Sequence, residues 1–239
     1  YPLFFLNIFA LILILFIGTE TYGATRWIRF AGVSLQPSEF IKVSLILCLA
    51  KYYHSIPVIE ASKISRMVIP AIITLIPVGL VMIQPDLGTS IIILIGAGSI
   101  FWITGINYKY FISAFALVCA AIPVGWQYLH NYQKERVYTF FNPERDPLGN
   151  GYHIMQSKIA LGSGGLSGKG YLEGTQSHLN FLPEMHTDFI FTMFGEEFGF
   201  LGTIFLLIVY FSIILVSFNL AIKSRNSFGK YLSCGLIFL

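Results

Sequence analysis

FLGTIFLLIVYFSIILVSFNLAI, residues 200–222, runs from Phe200 to Ile222 without one charged side chain. A helix needs about 20 apolar residues to cross the hydrocarbon core of a bilayer, and about 17 at the short limit. This stretch therefore reads as a transmembrane helix. Working outward from it, comparable runs stand at Pro2 to Gly18, Phe40 to Tyr53, Met67 to Ile83, Leu87 to Ile103 and Tyr110 to Leu129, with a truncated one from Phe228. The second of these is short, and it is expected to recruit Pro37, Ser38 and Glu39 as its first turn, which brings a carboxylate to membrane depth. Composition agrees: 55% of the 239 residues are hydrophobic and 11% are charged, against roughly 25% charged in a soluble domain. The expected fold class is all-α, a polytopic transmembrane helical bundle.

The net charge of +3 is small and spread over many apolar runs, which sets nucleic-acid binding aside. Cys48, Cys119 and Cys234 all lie inside apolar runs, where a thiol behaves as a small hydrophobe, so neither a disulfide framework nor a cysteine metal site is expected. The opening run has no basic n-region and no small-residue cleavage site, unlike a signal peptide. With Tyr1 at one end and Leu239 inside an apolar run at the other, the chain is expected to be a fragment of a longer polytopic protein.

Orientation follows from Lys and Arg in alternate short loops, because positive charge is retained on the cytoplasmic side. One set holds Lys51, Lys63, Arg66, Lys109, Lys223, Arg225 and Lys230, and the short loops of the other hold only Arg26 and Arg29. The first set is expected to be cytoplasmic. Of the twelve acids, only Glu60 then falls on that side, so any carboxylate chemistry faces outward. The outer face also carries the one long connection, residues 130–199, which keeps aromatic and aliphatic side chains throughout and is expected to fold rather than float. Its last stretch, Thr187 to Phe198, is apolar but too short to span, as in a re-entrant or membrane-surface helix leading into the next span.

Several constellations could carry chemistry. Glu39 and Lys42 are three apart on one helix and can pair, and an ion pair so near hydrocarbon normally faces a cavity or partner. The plainer alternative is that Glu39 complements the helix N-terminus while Lys42 snorkels. Arg26 and Trp27 read either as an interfacial anchor or as a site for an anion. Gln36-Pro37-Ser38-Glu39 and Gln84-Pro85-Asp86 echo each other where the chain re-enters the membrane from outside, with Pro suited to a helix start. The glycine-dense run from Gln156 to Gly170 contains Lys158 and Lys169 and lacks the Walker A spacing, since Ser163 and Gly170 stand at two required positions. It reads as an anion nest for a lipid phosphate or as a hinge. On a helix starting near Thr187, Asp188, Thr192 and Gly195 share one face among Phe189, Ile190, Phe191 and Phe194. Asp188 is thus a candidate general base, with first-turn capping as the alternative. One His, His186, with scattered acids is weak support for a metal, and none is assigned.

Arg26-Trp27-Ile28 with Gln36-Pro37-Ser38-Glu39-Phe40-Ile41-Lys42, then Gln84-Pro85-Asp86-Leu87-Gly88-Thr89, then Pro183-Glu184-Met185-His186-Thr187-Asp188-Phe189-Ile190-Phe191 and Gly195-Glu196-Glu197-Phe198-Gly199 resemble the signature blocks of the SEDS family (shape, elongation, division and sporulation). They come in family order along nearly the whole chain. Asn142 to Gly149, the Gln156 to Gly170 run and Gly174-Thr175-Gln176-Ser177 resemble its RodA branch more than FtsW. Met185 departs from the Arg or Ala of many relatives.

The resemblance implies a single SEDS-type membrane domain over residues 1–239, truncated at both ends, with 130–199 as its partly helical extracytoplasmic loop. It implies a multi-pass protein of the bacterial cytoplasmic membrane with its active face outside. The implied activity is peptidoglycan glycosyl transfer: polymerisation of lipid II, the undecaprenyl-pyrophosphate-linked disaccharide-peptide, for cell elongation and rod shape. Lipid II flipping is the alternative. The implied partners are a class B penicillin-binding protein transpeptidase, other elongation-complex proteins and membrane lipids. Carried over by residue, Asp188, Glu39 and Lys42 are the catalytic candidates, and Arg26, Trp27, Gln36, Lys158, Lys169 and His186 the substrate-binding ones. No cofactor is certain, with a divalent cation, Mg or Mn, left open.

Overall fold

The computed structural model describes residues 1–21, 24–30, 33–129, 131–146, 149–175 and 188–239. In chain order they form α1 (Pro2–Ile17), strands β1 (Thr19–Thr21), β2 (Ala24–Phe30) and β3 (Val33–Leu35), α2 (Pro37–His54), one turn α3 (Val58–Ala61), α4 (Ile64–Ile83), α5 (Leu87–Ile103), α6 (Tyr108–Tyr128) and α7 (Asn131–Phe141). A 3-10 turn (Pro143–Arg145), α8 (Asn150–Ser163), α9 (Ile190–Lys223) and α10 (Ser227–Ile237) complete them. The chain divides into two compact units, Tyr1–Ser113 with Ile214–Leu239, and Ala114–Ile213.

In the first unit α2 is central, packed against α1, α4, α5 and α10. Ile41, Leu45, Ile46 and Leu49 on α2 are fully buried, as are Leu11 and Ile14 of α1 and Ile100 of α5. Much of α2 faces other helices and not lipid, and it carries buried Ser38, Ser44 and Ala50 there. Small residues let neighbouring backbones approach. Across that packing the amide of Asn7 donates to the Ser44 hydroxyl at 2.9 Å, the interhelical hydrogen bond expected where no water is present. Gly235 of α10 fits against the same helix: a Cβ there would stand 2.6 Å from Ile46 Cγ2.

The helix ends follow the sequence expectations closely. α2 begins at Pro37, so it does recruit Pro37, Ser38 and Glu39. Among the described residues, α4, α6 and α9 are long and apolar enough to cross a membrane, and α1 and α5 are apolar but shorter. No side chain of α6 is buried, and α9 exposes Phe205, Ile208, Phe211 and Leu215. Apolar surface this continuous suits lipid rather than water. The three strands are an addition. β2 pairs antiparallel with β1, Thr19 opposite Trp27, and with β3, Ile28 opposite Leu35. A reading that ranks segments by apolar length passes over strands of three to seven residues, although their Thr, Ile, Val and aromatic residues are β-favouring types.

In the second unit α7 and α8 pack together around the 3-10 turn. The long connection is thus partly helical, as expected. α9 is broken at Gly199, whose φ of 65° and ψ of −164° are non-helical, so a short apolar helix does lead into the long span. It starts at Ile190, three residues later than the expected start near Thr187.

Candidate active site

The start of α2 is built by its own sequence. Pro37 stands in the first turn, where its missing N–H costs nothing, and the carbonyl of Gln36, the N-cap residue, accepts from the Glu39 amide at 3.1 Å. Glu39 therefore lies where the aligned peptide dipoles favour a carboxylate. Lys42 Nζ donates to Glu39 Oε1 at 2.9 Å and lies 2.9 Å from Oε2. The lysine side chain is 13% exposed and the glutamate 54%. Glu39 thus serves both as dipole partner and as ion-pair partner, while Lys42 stays against the bundle instead of running to the surface. β2 packs against α1 and α2, with Trp27 half-buried. Gln36 is also half-buried, and its side chain makes no capping hydrogen bond. For Arg26 only the backbone, within β2, is described.

The echo at Gln84-Pro85-Asp86 has a different outcome. Asp86 is the N-cap of α5, its Oδ1 accepting from the Thr89 amide at 3.2 Å and its Oδ2 from the Thr89 hydroxyl at 2.9 Å. Gln84, 1% exposed, donates to the Leu11 carbonyl at 3.2 Å. Here Pro85 precedes the cap, whereas Pro37 follows one. The second copy fastens helices together, and the first presents a charge pair.

The second unit carries Asp188, exposed in the turn that precedes α9. The next residue, Phe189, accepts the Met193 amide at 3.0 Å, so the helix takes hold one step after Asp188. Thr192 and Gly195 are buried on one face as expected, and the Thr192 and Ser157 hydroxyls hydrogen-bond at 2.8 Å. Asp188 stands two residues ahead of this helix, exposed in the turn. Lys158 is exposed on α8. His186 lies outside the described residues, as do Pro183, Glu184 and Thr187.

Sequence reasoning missed what holds this face. Gly199 breaks the helical hydrogen-bond ladder, and the glycine-dense loop replaces it: the Lys169 and Gly170 amides donate to the Glu196 and Glu197 carbonyls at 3.0 and 3.1 Å, while the Phe200 and Leu201 amides donate to the Gly165 and Leu166 carbonyls at 2.9 and 3.1 Å. Four backbone groups that the break would orphan are thereby satisfied. Glycine is required on both sides of this contact: a Cβ at Gly199 would lie 2.2 Å from the Gly168 amide nitrogen, and one at Gly168 2.0 Å from the Glu197 carbonyl oxygen. Lys169 Nζ then reaches Glu196 Oε1 at 2.7 Å and donates to Thr175 Oγ1 at 2.7 Å, and Thr175 donates to Glu196 Oε1 at 3.1 Å. Glu196 is fully buried. The available signal was an acid inside the aromatic block Phe194 to Phe200, which needs a cation from elsewhere in the chain. Among the described residues no three His, Cys, Asp or Glu side chains gather as a metal-binding group.

The family model for FtsW/RodA/SpoVE cell cycle proteins matches residues 1–239. The chain is 41% identical over 223 residues to the peptidoglycan glycosyltransferase MrdB of Escherichia coli, covering 93% of this chain and 60% of that protein. It is 37% identical over 251 residues to a probable peptidoglycan glycosyltransferase FtsW of Trichlorobacter lovleyi, covering 100% of this chain and 62% of that one. The chain thus spans about 60% of the length of these relatives. Among solved structures, a chain from a peptidoglycan synthase complex studied for its coordination of polymerization and crosslinking superposes with a TM-score of 0.79 at 29% identity, over 99% of this chain and 65% of that one. The rod shape determining protein RodA of Thermus thermophilus gives 0.66 at 25% identity, over 99% and 60%. The family model matches the chain from end to end, and the chain belongs to the FtsW/RodA/SpoVE family of cell cycle proteins.

Proposed function

We propose that the full-length protein is a peptidoglycan glycosyltransferase that polymerises lipid II into glycan strands for cell elongation. The observation that carries this reading is the near-buried Lys42 ammonium, held by Glu39 at the first turn of α2, in a chain 41% identical to a protein named for that activity. The reaction joins an anomeric carbon bearing a lipid pyrophosphate to the 4-hydroxyl of a GlcNAc, with inversion. It needs a base for the hydroxyl proton and positive charge where the pyrophosphate departs. Asp188 takes the proton. Lys42, oriented by Glu39, is the proposed cation for the departing charge, and exposed Lys158 is a proposed substrate contact. Arg26, Trp27, Gln36 and His186 belong to the same proposal as substrate contacts. A divalent cation, Mg or Mn, rests on the leaving group alone, since pyrophosphate binds such ions through its own oxygens.

The proposed setting is the bacterial cytoplasmic membrane, with the 130–199 connection and the chemistry outside. The bias of Lys and Arg between alternate loops supports it. An engineered thiol in that connection should react with an impermeant reagent in intact cells, and labelling only after lysis would reverse the orientation. The proposed partner is a class B penicillin-binding protein, with elongation-complex proteins and membrane lipids around it. The deciding experiment is lipid II polymerisation by the purified full-length protein in detergent, with and without that transpeptidase. Detergent offers no second leaflet, so glycan strands made there mark a polymerase. A protein that makes none with either arrangement, yet moves lipid II across vesicles, is a transporter.

A further inference from the structure

We infer that Lys169, Glu196 and Thr175 form a positioning clamp that sets where Asp188 stands, so that Lys169 acts on the reaction through Glu196 and not by touching the substrate. The inference rests on the proposed glycosyl transfer with Asp188 as base. The helical piece before the Gly199 break covers only Ile190 to Phe198. Helices this short do not hold themselves in water, so tertiary fastenings determine where the carboxylate just ahead of it is presented.

The side-chain fastenings are on one face. Thr192, Gly195, Glu196 and Gly199 recur at i, i+3, i+4 and i+7, one side of a helix. Thr192 is tied to Ser157 on α8, and Gly195 is buried where a Cβ would come 2.4 Å from Leu161 Cδ1. Glu196 is gripped twice by one residue, its carbonyl accepting the Lys169 amide at 3.0 Å and its carboxylate the Lys169 ammonium at 2.7 Å. Two of the three ammonium N–H groups are engaged within the protein, by Glu196 and Thr175. A fully buried carboxylate keeps its charge only beside a counter-charge, so Lys169 is committed to Glu196. A lysine binding pyrophosphate would have to give up its contacts to the Glu196 carboxylate and to Thr175.

The test uses the full-length protein in detergent with its transpeptidase partner and two readouts: polymerisation rate against lipid II concentration, and hydrogen exchange of the 190–198 amides. Lys169→Met should lower kcat by about tenfold or more with KM within about twofold, and should speed exchange across 190–198 by about tenfold. The double variant Lys169→Met with Glu196→Gln removes both charges of the pair together, and it should recover kcat to within about fivefold of wild type together with the protection. A structural lesion unrelated to the pair would not be relieved by the second change. Two outcomes overturn the clamp: a lipid II KM raised about tenfold with exchange unchanged, which makes Lys169 a substrate contact, or a double variant as poor as Lys169→Met itself. Should Asp188→Asn prove active, the base assignment falls, while the exchange data still decide whether the pair holds the helix.

Discussion

At the start of α2, Lys42 and Glu39 are three residues apart and meet at 2.9 Å; in the second unit, Lys169 and Glu196 are 27 apart in sequence and meet at 2.7 Å. Their burial is inverted. In the first pair the lysine is the covered member, 13% exposed against 54% for the acid, and in the second the acid is fully buried and the lysine 27% exposed. A covered ammonium with an outward carboxylate can exchange that partner for an anion, because the released carboxylate is met by water. A buried carboxylate has no such release. Similar chemistry and similar distances thus stand in opposite settings: the first fits the proposed reaction role of its pair, the second a fastening.

The largest expected effect tests what the fastening presents. Asp188→Asn should lower polymerisation by a factor on the order of 100 to 10,000 while insertion and partner binding persist, because the amide keeps the shape but accepts no proton. Asn caps a helix as well as Asp does, so a rate within about threefold of wild type would leave Asp188 as a cap only. Next, Lys169→Ala removes the ammonium that lies 2.7 Å from a fully buried carboxylate and should destabilise the protein by about 3 to 5 kcal/mol. Thermal unfolding in detergent measures it, and a midpoint equal to that of wild type would mean that the other partners of Glu196 hold it without Lys169.

Gly199→Ala comes third. The substitution forces a side chain into a left-handed φ, about 1 to 3 kcal/mol of strain, and against the Gly168 amide. It should loosen the exchange of hydrogen bonds across the break and leave the Glu39–Lys42 pair untouched. The fourth expectation concerns that pair, whose carboxylate is exposed: Lys42→Ala leaves Glu39 to water and should cost stability only about 1 kcal/mol or less yet impair polymerisation. Glu39→Ala should impair it too, with the double variant no worse than the poorer single one. Fully additive losses would show two residues acting independently.

The smallest effect is expected at a third pair, Glu60 with Lys63 at 2.8 Å, both partly exposed. The hydrogen bond from Lys63, then its charge, holds the Glu60 carboxyl below its ordinary range, with a lesser contribution from Arg66. The sign follows from linkage: the contribution is present above the ordinary carboxylate range and is lost as pH falls through the lowered value. For so exposed a group it should be nearly invisible. Unfolding of Glu60→Gln should track wild type from neutral pH downward, and a clear gap at neutral pH that closes in acid would raise this pair above the surface norm.

How much was legible varies with the distance over which the deciding interaction acts. The spans from Pro2, Phe40, Met67, Leu87, Tyr110 and Phe200 were readable because bilayer thickness imposes a length on each run by itself. The extension of α2 to Pro37 was readable because a proline belongs at a helix start. Asp86 was legible as part of a helix start, but its bonds to Thr89 separate it from Glu39, and similar letters hid different work. The strands of 19–35 were missed because a strand is stabilised by partners in the same sheet, which a scan for apolar length does not weigh.

By itself, then, the sequence determined the apolar spans, the distribution of charge between alternate loops, the Glu39–Lys42 pairing at helical spacing, and membership of a family whose motifs lie in order. Each of these depends on neighbours a few residues away or on the transfer of one segment into lipid, and such terms can be summed along a chain. Only the tertiary structure decided that α2 is the central helix of its unit, that the glycine-dense loop closes the break at Gly199, and that Lys169 belongs to Glu196. Those outcomes depend on which backbone groups a helix break orphans and which distant loop can reach them. A carboxylate at zero exposure names its partner only once the chain has folded around it.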